Sequence, residues 1–327
     1  MAKERRRLGA LNKKPLTYYF ELQDCGDWSR GEVPALCSYA LKSLAHHGVR
    51  HIVLSDGLLA QMMHYRWGWE CLSRKIKAAV EAEGLDFVDA HSVYGTWWDL
   101  NEPDPERREE MVAAHCHAMS LAASLGVKTI TIHVGNSLSP GVNYPPSAWL
   151  DAISQVTWEQ HIDNATAALK RLVPYAESLD MTICIENVRY VCTTPEALLE
   201  LKRRFPSEAL GFCYDAGHAN IVMPLYRASD IPSQRAMAED SSKPLALQIL
   251  EQMLPHIVNC HLHDNDGVGD QHLLPGMGTL DWKGVAAGLK RAPRLQCLQS
   301  EMLPVRCKTP IPVMVETFRR IFGDFAE

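Results

Sequence analysis

Along the chain, short apolar runs alternate with longer segments whose apolar positions recur every three to four residues. Eight runs read as strands: LTYYFEL (16–22), RHIVLS (50–55), DFVDAH (86–91), KTITIH (128–133), MTICIE (181–186), LGFCYD (210–215), HIVNCHL (256–262) and LQCLQSE (295–301). Each is rich in β-branched, aromatic or other apolar residues and is bounded by turn residues. Between them the spacing predicts helices over 106–125, which stops at Gly126, and over 159–179, with an Ala/Leu-rich face. Further helices are predicted over 194–205, opening on Thr-Pro, over 244–254 and 281–291, and over 311–322 at the end. Strand followed by helix, repeated eight times with no break in composition, is an α/β pattern. It predicts a (β/α)8 TIM barrel in a single domain over 16–327, preceded by a basic arm at 1–15. A doubly wound sheet would place a Gly-rich phosphate turn after its first strand. The turn here is LQDCGDWSRG, without GxGxxG.

Composition narrows the class. The chain is 46% hydrophobic and 22% charged, which is ordinary for a globular protein, and has no apolar stretch long enough to predict a membrane span. Its basic start lacks a following apolar segment, so no secretory signal is expected. The 10 cysteines are scattered without a CxxC pair, and several sit inside apolar runs, as small buried hydrophobes do. A reduced, cytoplasmic protein is the expectation. The net charge of −6 disfavours nucleic acid as a partner, apart from the Lys/Arg-rich arm. That arm suits a solvated terminus, and also a contact with another subunit in a homo-oligomer.

The chemistry gathers at the strand ends. The third to eighth runs finish at or beside a ligand-type residue: His91, His133, Glu186, Asp215, His261 (one residue before the end of its run) and Glu301. In a barrel these ends converge on one mouth, where sites are built. A single His at a strand end is more often a rim residue than a ligand, but six consecutive ligand types are not scattered as chance would scatter them. YDAGHAN adds His218, and the segment CHLHDNDGVGDQHLLPGMG adds His263, Asp270 and His272. Histidine mixed with carboxylate suits Zn, Mn, Co or Fe better than Ca. The segment is neither an EF-hand loop nor a zinc ribbon. His115 and His117 lie two apart on a predicted helix and face different ways, so they read as structural. Trp28, Trp67, Trp69, Trp97 and Trp98 follow the first three strands and are candidates to meet a sugar face, with ordinary packing the competing role.

These motifs together resemble the xylose isomerase-like TIM barrels, a family of sugar and sugar-phosphate isomerases and epimerases that also includes endonuclease IV. The residues that carry the resemblance are TIHVG, ICIENV, YDAGHAN, CHLHDNDGVGDQHLLPGMGTLDW and LQSEM, and it runs over about 16–322. It implies one divalent ion (Mn, Co, Zn or Mg) held by Glu186, Asp215, His261 and Glu301. His261 is preferred to His263 because the family pattern H-x-x-D reads HLHD from there. Glu186 and Glu301 would be the catalytic pair, moving a proton next to a metal-polarised carbonyl of a small carbohydrate. Arg189 in ENVRY would be a substrate contact. Endonuclease IV implies more: three zinc ions on nine ligands, with counterparts at His91, His133, Glu186, Asp215, His218, His261, Asp270, His272 and Glu301. One to three ions therefore stay open. So does hydrolysis of abasic DNA, or a barrel that works only with a partner subunit. Met277 stands where many relatives carry Glu in P-G-E-G.

Overall fold

A computed structural model describes residues 13–64, 68–135, 157–188, 193–229 and 232–327. Arg189, Trp67 and residues 1–12 of the arm fall outside these. Eight parallel strands close into a barrel in chain order: β1 Leu16–Tyr18, β2 His51–Leu54, β3 Asp86–His91, β4 Thr129–Ile132, β5 Thr182–Glu186, β6 Leu210–Asp215, β7 Ile257–Leu262 and β8 Leu298–Ser300. The last closes on the first through Thr17↔Gln299 and its neighbours. The protein is a single-domain (β/α)8 TIM barrel.

The helices around it are α1 Ala35–His46, α2 Asp56–His64, α3 Trp69–Ala82, α4 Pro105–Ser124, α5 Trp158–Ser178 and α6 Pro195–Arg204. After β6 come α7 Ala216–Ile221, α8 Met223–Ala228, α9 Pro232–Glu239 and α10 Leu245–Met253; α11 Trp282–Leu289 and α12 Ile311–Phe322 complete the ring. Local chemistry sets several starts. Asp104 accepts from the Glu106 amide ahead of Pro105 in α4, and Thr157 and Gln160 cap α5 reciprocally. The apolar core lies between the barrel's outer face and these helices.

Two predicted strands are shorter than the runs that suggested them. β1 stops at Tyr18, because the chain then turns into a 3-10 helix at Leu22–Cys25. β8 begins only at Leu298, although Leu295 and Cys297 are equally buried. Hydrophobicity reports burial, whereas ladder pairing also depends on the neighbour, and β1 offers β8 only a short edge.

Alternation along the strands places every second residue inside the barrel. His91, His133, Glu186, Asp215, His261 and Glu301 stand at the mouth. Two residues earlier, one layer deeper, lie Asp89, Thr131, Cys184, Cys213, Asn259 and Gln299, all buried. A hydrogen bond from Asn259 Nδ2 to Asp89 Oδ2 (3.1 Å) crosses the interior from β7 to β3. A layer usually filled by branched apolar residues is here polar or thiol-bearing.

Candidate metal centre

Glu186, at the end of β5, is the hub. Its Oε2 accepts from His133 Nε2 at 3.1 Å and its Oε1 from His218 Nδ1 at 2.9 Å. His261 Nδ1 stands 3.4 Å and His91 Nε2 3.6 Å from Oε2. Asp215 caps the short helix α7 by accepting from the His218 amide at 2.7 Å, which swings the His218 ring back over the mouth. His263 Nε2 lies 3.2 Å from Asp215 Oδ1, and Glu301 Oε2 lies 3.2 Å from His261 Nδ1. His263 and His261 are both fully buried against these carboxylates, so each stands within reach of the same acidic groups.

The loop after β7 delivers the rest. It is tied around the buried Asp264 carboxylate, which accepts from the amides of Asn265 (2.9 Å), Gly276 (2.8 Å) and Leu280 (3.3 Å) and from Trp282 Nε1 (2.8 Å). Gly276 has φ of 95°, the left-handed region that glycine enters without strain. The knot returns Asp270 and His272 to the mouth. Asp270 meets His218 Nε2 and His272 Nε2, both at 3.3 Å, and the His272 ring stacks on His263 at 3.8 Å. His272 has φ of 51°, a strained backbone for a non-glycine residue. Gly217 is needed for the same packing, since a Cβ there would come within 2.0 Å of the His263 ring.

Ten ligand-type residues predicted from sequence thus converge: His91, His133, Glu186, Asp215, His218, His261, His263, Asp270, His272 and Glu301. Several triads, among them His91–His133–Glu186, Glu186–Asp215–His218 and His263–His272–Glu301, have ligand atoms within 4.8 Å of one another. Their charges are mutually enforced. Burial opposes ionisation of Glu186, but His261 and His133 hold its carboxyl well below the ordinary value. Burial also opposes a charged His218, yet Asp215, Asp270 and Glu186 raise it well above the usual imidazole range. For His272 burial is outweighed chiefly by Asp270, and its pKa is raised to about 9.

The donor set fits a divalent ion. His91 Nδ1 is tied to the Ser92 carbonyl (2.7 Å) and His272 Nδ1 to the Glu301 carbonyl (2.8 Å), leaving each Nε2 turned toward the carboxylates. Anchoring one ring nitrogen and presenting the other is how metal-ligating histidines are held. His261 is fully buried with Nδ1 3.2 to 3.7 Å from Glu301, Glu186 and Asp215 but well aligned with none of them, and its Nε2 is tied to no backbone carbonyl. By contrast, His115 is spent structurally. Its ring contacts Ser92 Oγ (2.9 Å) and the Trp98 carbonyl (3.0 Å), and burial pushes its pKa down to about 4.

Beside these groups opens a cavity of about 430 Å3. Its further wall is Tyr19, Glu21, Gln23, Asp56, Tyr94 and Arg306. The Tyr19 hydroxyl donates to Asp56 Oδ1 (3.0 Å), and Ser55 Oγ donates to Gln23 Oε1 (2.9 Å). The aromatic surface is therefore tyrosine. Trp28, 3% exposed, is packed in the core with Nε1 on the Gln23 carbonyl; Trp97 is 67% exposed and Trp98 half-buried on a 3-10 turn. None of these three is among the residues lining the cavity. Tyr19 directly follows β1, and Asp56 opens α2 one residue beyond Ser55, which follows β2. Asp56 follows the run 50–55 and was legible from that position, whereas Tyr19 lies inside the apolar run 16–22 and carries no such signal.

Residues 41–294 match the family model of the xylose isomerase-like TIM barrel. The chain belongs to that family. It is similar to an uncharacterized protein of Methanocaldococcus jannaschii, 26% identical over 61% of this chain, of whose length the match spans only 59%. It is also similar to an uncharacterized protein of Sinorhizobium fredii, 33% identical over 78% of this chain and 71% of that one. Among solved structures, D-psicose 3-epimerase with D-tagatose from Clostridium cellulolyticum H10 superposes with a TM-score of 0.66 over 94% of this chain and 99% of that one, at 12% identity. The IOLI protein with a bound zinc atom superposes with a TM-score of 0.64 over 95% and 99%, at 15% identity. At such identities the superpositions speak for the shared barrel.

Proposed function

We propose that this barrel is a divalent-metal-dependent isomerase or epimerase of a small carbohydrate. The observation that carries the reading is the joint approach of Glu186 and Glu301, from the ends of different strands, to the buried His261 Nδ1 at 3.4 and 3.2 Å. Glu186, Asp215, His261 and Glu301 would hold the ion, with Mn, Co, Zn or Mg as the candidates. When bound, the ion supplies Lewis acidity that polarises a neighbouring carbonyl. In the metal-free site His261 lowers the pKa of each glutamate against burial, and a bound ion would keep both ionised in its place. One takes the proton from the carbon beside the carbonyl and the other returns a proton to the opposite face. Tyr19, Gln23 and Asp56 hold substrate hydroxyls on the far wall, and Tyr94 closes over the ring. The sugar-bound epimerase and the zinc-bound relative on the same barrel support this reading. Free thiols throughout the described cysteines support a reducing, cytoplasmic setting, and among the described residues no helix is long and apolar enough to cross a membrane.

A second reading has its own observation. All nine residues expected of a three-zinc phosphodiesterase converge on this mouth, Asp270 and His272 included. Metal content per chain, measured in the unaltered protein and in Glu186→Ala and Asp270→Ala, separates the two. One ion, lost in Glu186→Ala and kept in Asp270→Ala, with interconversion of epimeric ketoses, is the expected result. Two or three ions, some lost in Asp270→Ala, with cleavage of abasic DNA, would replace the isomerase reading with the hydrolytic one.

A further inference from the structure

His261 differs from His91 and His272 in how its ring is held. His91 and His272 each tie one nitrogen to a backbone carbonyl. The His261 Nε2 has no such anchor, although the residue is fully buried and its Nδ1 faces Glu186, Asp215 and Glu301. What lies beneath it is unusual. Asn259, two residues earlier on the same face of β7, donates to Asp89 Oδ2 and so holds that carboxylate in the interior under the histidine layer. The other carboxylate oxygen, Asp89 Oδ1, is buried without a hydrogen-bond partner. So are both amide atoms of Gln299, the residue paired with His261 across β7 and β8. Asp89 and His261 also interact electrostatically. An acid, an amide and an imidazole, each with an unused polar atom in one closed interior, are what a buried bridging water satisfies.

We infer that Asp89 is a positioning residue for His261. Its Oδ1 accepts the His261 Nε2–H through a water shared with Gln299, which fixes the tautomer that turns the Nδ1 lone pair toward Glu186, Asp215 and Glu301. The inference rests on the reading of His261 as a ligand. A carboxylate behind the ring raises its basicity and sets its orientation, and removing such a partner costs metal affinity. The interior therefore serves the mouth, and Asp89 has a role beyond filling the barrel.

The test loads metal-free protein with Co(II) and measures its dissociation constant by chelator competition, together with the visible spectrum. Asp89→Asn is expected to weaken binding by about 10- to 100-fold and to shift the spectrum. Thr129→Val, which removes another buried hydroxyl of the interior, is expected to lower the melting temperature alone. Asp89→Asn with unaltered affinity and spectrum overturns the inference. Wild-type protein that binds no cobalt, or His261→Ala that binds it as well as wild type, overturns the metal reading instead. Should Asp89→Asn fail to fold, 15N-histidine spectra of the unaltered protein decide: a proton on His261 Nε2 is expected, and a proton on Nδ1 alone overturns the proposal.

Discussion

Strands β3 to β8 and strands β1 and β2 reach one cavity with different chemistry. The six-strand arc ends on His91, His133, Glu186, Asp215, His261 and Glu301, whose side chains meet each other at ion-pair distances. The two-strand arc ends on Tyr19 and on Ser55–Asp56, which pair through hydrogen bonds with each other and with Gln23. In the first arc every charge depends on an opposite charge beside it. In the second, one hydroxyl can be lost without leaving a buried ion. The difference is a division around a single ring of strands, with imidazole–carboxylate ion pairs on one side and hydroxyl and amide hydrogen bonds on the other.

The largest effect is expected from Glu186→Gln, which removes the anion at the centre of the six-strand arc. Bound metal should be lost and kcat/KM on the ketose found by screening should fall about 1,000-fold. Full metal content in this variant would break the division just drawn. Next, Asp264→Ala strips the acceptor from four donors that hold the β7 loop. It should cost about 3 kcal/mol in denaturant unfolding, because the Asn265 amide and the Trp282 indole N–H are left buried and unmatched. A loss of a few tenths would mean that the loop holds itself by other contacts.

The pH dependence comes next. With His272 raised to about 9, chiefly by Asp270 against burial, its stabilisation is complete below the unfolded histidine value of about 6.5. That stabilisation is lost as pH rises through about 9. Asp270, depressed by His218 and His272 against burial, contributes above the unfolded carboxylate value and loses its contribution as pH falls through its lowered pKa. The melting temperature of metal-free protein should therefore fall between pH 6.5 and 9, and Asp270→Asn should flatten that slope. Divalent metal displaces these protons, so its affinity should rise over the same window. The smallest effect is expected from Tyr19→Phe, which deletes one hydroxyl of the two-strand arc. KM should rise roughly 2- to 10-fold with metal content unchanged. A loss of metal there would erase the distinction between the arcs.

Much of the six-strand arc was legible because burial and alternation act locally. β3, β6 and α12 lie where the pattern predicts them, and a run such as LGFCYD both forms its strand and delivers its last residue to the mouth. Asp270 and His272 were visible as residue types. Their return to the mouth depends on Asp264 gathering donors as far away as Trp282, a contact that no local spacing encodes. The tyrosine wall was hidden for another reason. Tyr19 reads as one more apolar residue of its run, and its partner Asp56 lies 37 positions away. Tryptophan drew attention by its size, but Trp28 has its indole nitrogen satisfied by a carbonyl and its rings in the core.

The knot around Asp264 makes the loop a separable part. A ligand on a strand cannot move without disturbing its neighbours in the barrel, whereas Asp270 and His272 travel with a segment that carries its own fastening. Exchange of that one segment could therefore add or delete ligands while the barrel stayed intact. For a lineage of such barrels, the number of ions and the reaction they serve would then be set by the length and content of a single graft.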